Sequence, residues 1–151
     1  MNSDYKNGPP EIRLATDADL EEIFQVDPTT QMEKHRTEII RRGVENGTCY
    51  IAVGEKVKGF AILEYTFFEM GFVSLLVIHP DQRRSGLGSA LIRHLESICR
   101  TRKIFTSTNQ SNLPMQALLS KLGYERSGII HGLDEGDPEL IFRKELNQPN
   151  P

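Results

Sequence analysis

The chain has 151 residues, 38% of them hydrophobic and 26% charged, enough for one domain of ordinary size with a substantial core and no need of staples. Eighteen basic residues stand against twenty-one acidic ones, a formal net charge of -3, so no global field would hold a nucleic-acid backbone. Two cysteines, Cys49 and Cys99, exclude a disulfide scaffold or a four-cysteine zinc site. No apolar run approaches the ~18 residues of a membrane span, and Met1 to Pro10 lacks the apolar stretch of a secretion signal. The expectation is a soluble protein of a reducing compartment, the cytoplasm, with partners among neither nucleic acids nor membranes. Residues 1–10 read as a flexible arm, 11–146 as one domain, and 147–151 as a frayed tail.

Ile12 to Ala15 reads as a short strand. Thr16 can cap a helix whose first turn carries Asp17 and Asp19, where the dipole favours anions. Leu20, Ile23 and Phe24 share its apolar face, and Asp27-Pro28 ends it. A second helix is expected from Thr30 to Glu45, with Met32, Ile39, Ile40 and Val44 as its apolar set, closed by an Asn46-Gly47 turn. Cys49 to Val53 and Val57 to about Phe68 are strands joined by Gly54-Glu55-Lys56. Glu69-Met70-Gly71 is the expected next turn. Phe72 to Ile78 is nearly all apolar, the pattern of a central strand buried on both faces.

A polar, glycine-containing stretch then leads into a helix with Leu87, Leu91, Leu95 and Ile98 on one face. Ile104 to Thr108 is a strand. Asn112 caps a helix with Pro114 in its first turn, and Gly123 closes it. Tyr124 to Ile130 and Glu139 to Leu146 are the last two strands, linked by the acidic loop Asp134 to Glu139. The order β-α-α-β-β-β-α-β-α-β-β implies an α/β sheet of mixed direction rather than a doubly wound parallel one.

The segment Arg83-x-x-Gly86-x-Gly88 between the buried strand and the next helix carries the chemistry. Glycines let backbone N–H groups approach a ligand closely. The free N–H groups and positive dipole end of the helix point the same way. Arg83 and Arg84 add charge and bidentate donors, and Ser85 and Ser89 add hydroxyls. Such a cradle suits a phosphate or diphosphate. It is not a nucleotide P-loop, because no Lys-Ser or Lys-Thr follows the glycines. It is not a dinucleotide fingerprint either, because Leu91 stands where the third glycine belongs. Two glycines before a helix are common, however, and the bare pattern does not separate a cradle from a glycine-rich turn.

Three segments together settle on a resemblance. VIHPDQRRSGLGSALI (Val77 to Ile92) resembles the diphosphate motif Arg/Gln-x-x-Gly-x-Gly/Ala of the GNAT superfamily of acetyl-CoA-dependent acyltransferases. Val57 to Ala61 resembles that family's third strand, and NLPMQALLSKLGY (Asn112 to Tyr124) its later helix with a closing Gly-aromatic pair. The likeness spans about Ile12 to Leu146. It implies a mixed, splayed sheet of about six or seven strands flanked by about four helices. It further implies that Arg83, Arg84, Ser85, Gly86, Leu87, Gly88 and Ser89 hold the diphosphate of coenzyme A. Leu76, Val77 and Ile78 would present strand-edge groups to its pantetheine arm, and Asn109 or Asn112 would hydrogen-bond that arm. The implied reaction is direct acetyl transfer to a primary amine of a small molecule, with a protein N-terminus or lysine as the alternative acceptor. A non-catalytic acyl-CoA-binding module is the reading from another class. No metal takes part, and pairing into a homodimer is an expectation from the same resemblance.

One position departs from the family. Where many members carry a tyrosine that protonates the leaving thiolate, this chain has Leu119. Tyr124 takes the packing role of the aromatic. For the base, Glu64, Tyr65 and Glu69 are the acceptors near the central strand, and Glu64 is the choice. The histidines His35, His79, His94 and His131 lack metal-ligand spacing, and His79 before Pro80 reads as structural. The acidic loop could attract a cationic acceptor or be a solvated hairpin.

Overall fold

The structure, a computed structural model, describes residues 10–147; most of the expected arm and tail lies outside the described residues. Seven strands and four α-helices are present there: β1 (Glu11–Leu14), α1 (Leu20–Val26), α2 (Lys34–Glu45), β2 (Cys49–Val53), β3 (Val57–Phe67), β4 (Met70–Ile78), α3 (Leu87–Ile98), β5 (Lys103–Asn109), α4 (Leu113–Lys121), β6 (Glu125–Ile130) and β7 (Glu139–Glu145). Strands hydrogen-bond in the order β1-β2-β3-β4-β5-β7-β6. β4 and β5 are parallel, whereas β1–β2, β2–β3, β5–β7 and β6–β7 are antiparallel. The sheet is therefore mixed, as the alternation of hairpins and crossovers implies. No helix among the described residues is long and apolar enough to cross a membrane.

The chain divides into two compact units, 10–63 with 75–94, and 64–74 with 95–147. In the first, Ile23, Val26, Ile40, Val44, Cys49, Ile51, Phe60 and Ile62 form a core of α1 and α2 on β2 and β3. Leu75 and Val77 of β4 pack against that core, so alternation turns Leu76 and Ile78 the other way. In the second unit, Ile104, Leu119, Leu140 and Phe142 are buried. β5 pairs with β7 along its whole length, from Lys103↔Glu145 to Asn109↔Glu139. Burial pushes the Cys49 thiol up to about 12, the state of an inert core residue.

Three expectations need correction. The second helix starts at Lys34, not Thr30. The Asp27 carboxylate accepts the Thr29 N–H at 3.0 Å and the Arg36 guanidinium at 2.9 Å. Thr30 Oγ1 donates to the Phe24 carbonyl at 2.8 Å. These bonds hold Pro28–Gln31 as a separate 3-10 turn, and Met32 is 86% exposed instead of joining the core. The β3–β4 turn is Phe68-Glu69, both left-handed at φ 52° and 64°, ahead of the expected Glu69-Met70-Gly71. Finally, β4 is central in strand order but not buried on both faces. Gly71 and Val73 are buried, Ser74 is exposed, and Leu75 to Ile78 are half-buried.

Candidate functional site

The loop after β4 is built by local hydrogen bonding and two reversals of backbone hand. The His79 N–H donates to the Lys58 carbonyl of β3 at 2.8 Å, ending the strand. Pro80–Gln82 forms a 3-10 turn, with His79 Nδ1 accepting the Asp81 N–H at 3.0 Å. The Gln82 N–H reaches the His79 carbonyl at 2.8 Å. Ser85 Oγ donates back to the Gln82 carbonyl. Arg83 is extended, and Arg84 and Gly86 are left-handed at φ 62° and 83°. Arg84 has a side chain in a region that costs such residues about 1 kcal/mol or more, and strain of this kind concentrates where backbone N–H groups must be aimed.

The Gly86 carbonyl accepts the Ala90 N–H at 3.0 Å, the first turn of α3. Helix geometry leaves the N–H groups of Leu87, Gly88 and Ser89 with no carbonyl of their own helix to bond. Leu87 is 3% exposed and anchors this end of the helix. Gly88 and Ser89 are half-buried, and Arg83 and Arg84 project outward. The arrangement can hold an anion: fixed N–H donors, the positive end of a twelve-residue helix and two guanidinium groups lie within seven consecutive residues. Every loop residue singled out in the sequence is in this one turn. Among the described residues no group of three His, Cys, Asp or Glu side chains comes together as a metal site.

β4 and β5 pair over Gly71↔Ile104, Phe72↔Phe105 and Val73↔Thr106. Thr106 Oγ1 then takes the Val73 carbonyl at 2.9 Å, and β4 runs on to Ile78. Its end, Leu76-Val77-Ile78, is a half-buried apolar stretch. Glu64 is half-buried on β3. Tyr65 is engaged elsewhere. Its phenol oxygen accepts the Arg100 N–H at 3.1 Å, and the Arg100 guanidinium carbon stands 4.4 Å from its ring centre. Glu69 is exposed in the strained turn.

In the second unit the two asparagines have structural duties. Asn109 Nδ2 donates to Asp134 Oδ2 at 2.9 Å and to the Asp137 carbonyl at 3.2 Å. Asn112 Oδ1 caps α4 by accepting the Met115 N–H at 3.2 Å. Ser111 adds two donors to Asp137, from N at 3.0 Å and Oγ at 2.6 Å. Two carboxylates of the acidic loop thus fasten that loop to the β5–α4 junction. Sequence reading did not anticipate this, since the partners lie 25 to 28 residues apart.

Leu119 is fully buried in α4. Tyr124 is 6% exposed and donates its hydroxyl to Glu96 Oε2 at 2.9 Å, while Lys144 Nζ reaches Glu96 at 3.1 Å. Burial, and then the adjacent Glu96 carboxylate, hold the Tyr124 phenol well above its usual range. It is a packed structural group. Leu119→Tyr is expected to cost about 2 kcal/mol of stability, from overpacking plus a buried hydroxyl. Leu119→Phe separates the two terms: in urea unfolding it is expected to lose less, and equal losses would assign the whole effect to volume.

The model of the acetyltransferase (GNAT) family matches residues 13–124. No curated protein sequence gives a significant match. Among solved structures, a GNAT-family acetyltransferase from Bacillus cereus ATCC 10987 superposes with a TM-score of 0.86 at 35% identity, over 93% of this chain and all of that one. The ribosomal-protein-S18-alanine N-acetyltransferase of Escherichia coli is similar in fold, with a TM-score of 0.72 and 18% identity over 93% of this chain and 96% of its own. Arabidopsis thaliana NAA60, in complex with a bisubstrate analogue, gives 0.76 and 17% over 91% and 98%. A family match across Arg13 to Tyr124, with the Arg83–Ser89 loop inside it, and a relative 35% identical over nearly the whole chain place this protein in the GNAT acetyltransferase family.

Proposed function

We propose that the protein transfers an acetyl group from acetyl-CoA directly to a primary amine, with a small molecule as acceptor. The loop from Arg83 to Ser89 supports this most: left-handed Arg84 and Gly86 precede a helix start whose N–H groups lack helical partners. These residues fit a diphosphate. The half-buried apolar end of β4, Leu76 to Ile78, fits an extended arm that adds to a strand edge.

Acetyl-CoA supplies an acyl group activated as a thioester. The acceptor amine forms the new C–N bond as the C–S bond breaks, and it attacks only when neutral, so a base must take its proton. Glu64 is assigned that role. A backbone N–H near Val77 or Ile78 would donate to the developing oxyanion. With Leu119 at the usual acid position, water protonates the departing thiolate, already a fair leaving group.

Glu64→Gln is expected to lower turnover about a hundredfold and to flatten the acid limb of the pH–rate profile, with coenzyme affinity unchanged. An unaltered profile removes Glu64 from the mechanism. The reaction itself is read as thiol release from acetyl-CoA against a panel of free amines and peptides. Turnover on free amines is the expected result. Turnover confined to peptides, as the name of the E. coli S18-alanine enzyme would suggest, transfers the acceptor to a protein N-terminus or lysine. Coenzyme binding without any turnover leaves a binding module.

A further inference from the structure

The entrance to the loop is held through an atom that a proton would occupy. His79 Nδ1 accepts the Asp81 N–H at 3.0 Å, so the ring is neutral there, with its proton on Nε2. This bond completes the pairing of a turn with few alternatives. Pro80 has no N–H, and the Gln82 N–H is already taken by the His79 carbonyl at 2.8 Å. The carbonyl of Gln82 accepts the hydroxyl of Ser85, the residue between left-handed Arg84 and Gly86. The His79 cap and the strained part of the loop are thus joined through Gln82.

Protonation of Nδ1 turns the acceptor into a donor and sets it against the Asp81 N–H. The charged groups around the ring reinforce the change. On the same turn the Asp81 carboxylate, 85% exposed, has Oδ2 3.9 Å from Nδ1, and an imidazolium would turn toward it and away from the backbone. From β3, Lys58 meets His79 through its carbonyl, while its ammonium folds toward the β2–β3 turn, 3.1 Å from where a Gly54 Cβ would stand. Arg83 and Arg84 are the cations that follow in the loop.

We infer that His79 is a positioning residue for coenzyme binding: neutral, it holds the diphosphate loop in its receptive form, and protonated, it releases it, so affinity falls on acidification. The inference rests on the coenzyme reading above. A purely electrostatic role would have the opposite sign, because an added cation attracts a diphosphate.

The test is calorimetry with coenzyme A and with 3′-dephospho-coenzyme A at about pH 8 and about pH 5.5, the interval over which histidine changes charge. The dephospho form removes a phosphate monoester that titrates in the same range. Wild type is compared with His79→Asn, whose Oδ1 is a non-titrating cap, and with His79→Ala. Wild type is expected to lose about threefold or more affinity beyond any loss in His79→Asn, and His79→Ala to bind weakly at both pH values. Parallel profiles for wild type and His79→Asn, or a relative gain by wild type in acid, overturn the role of His79 and leave the coenzyme reading standing. Absence of wild-type binding at the higher pH overturns both. The Asn variant keeps the comparison decisive if the Ala variant does not fold.

Discussion

Gly88→Glu is expected to weaken coenzyme A binding at least about a hundredfold while leaving the fold as stable as before, or more so. The two effects separate because the same side chain acts oppositely on helix and ligand. Gly88 is the second residue of α3, after Leu87 and the Gly86 carbonyl that accepts from Ala90. A carboxylate in a helix's first turn gains about 0.3–1 kcal/mol from the dipole, and replacing glycine inside a helix gains about 1 kcal/mol more. For a diphosphate the substitution is adverse twice: a side chain stands where the backbone must be approached, and a negative charge faces a negative ligand. Gly86→Asp is expected to weaken binding similarly, but at a cost in stability of about 1 kcal/mol, because φ is 83° at that position. Calorimetry with coenzyme A, beside thermal unfolding of each variant, reads both quantities. Unchanged affinity in a well-folded Gly88→Glu protein would take the diphosphate away from this loop.

What could be read from the sequence was what local chemistry dictates. Asn112 and Gly123 bracket α4 because a cap and a left-handed glycine act within a turn of the residues they serve; Gly123 has φ 91°. The loop from Arg83 to Ser89 was legible for the same reason, as every part of it lies in seven consecutive residues. Legibility ended where a partner is distant. Asn109 is a polar residue at a strand end, and only the folded chain shows its amide spent on Asp134 and Asp137. The start of α2 is not set by local signals, because the buried Asp27 carboxylate binds Arg36, nine residues on, as well as Thr29. The apolar run in β4 suggested burial on both faces, yet the strand pairs with β5 through only Gly71 to Val73 before its half-buried end. Hydrophobicity reports what a segment would bury against, without saying whether that surface is another part of the chain or a ligand.

Gly71 shows the same limit and carries the second large effect. A glycine beside Glu69-Met70 signals a turn, yet here it sits inside β4, and the turn falls on Phe68-Glu69. The reason lies 28 residues later: a Cβ at Gly71 would stand 2.5 Å from Cys99 Sγ and 3.2 Å from Thr101 Oγ1. Neither neighbour yields easily. Cys99 is fully buried. Thr101 Oγ1 accepts the Gly71 N–H at 2.9 Å and donates to the Lys103 carbonyl at 2.7 Å. Gly71→Ala is therefore expected to cost about 3 kcal/mol, at the upper end for an added methyl in a packed interior. Cys99→Ala alone is expected to cost about 1 kcal/mol for the small cavity it leaves. In the double variant the new methyl enters the space of the lost sulfur, so the two losses partly cancel, and the pair is expected to be about 2 kcal/mol more stable than their sum. Urea unfolding of the four proteins measures that coupling. Simple additivity would mean that the thiol does not dictate the glycine. A coupling of the expected size would fix why the strand can begin before Gly71, with a left-handed phenylalanine and glutamate making the turn that a glycine would ordinarily make.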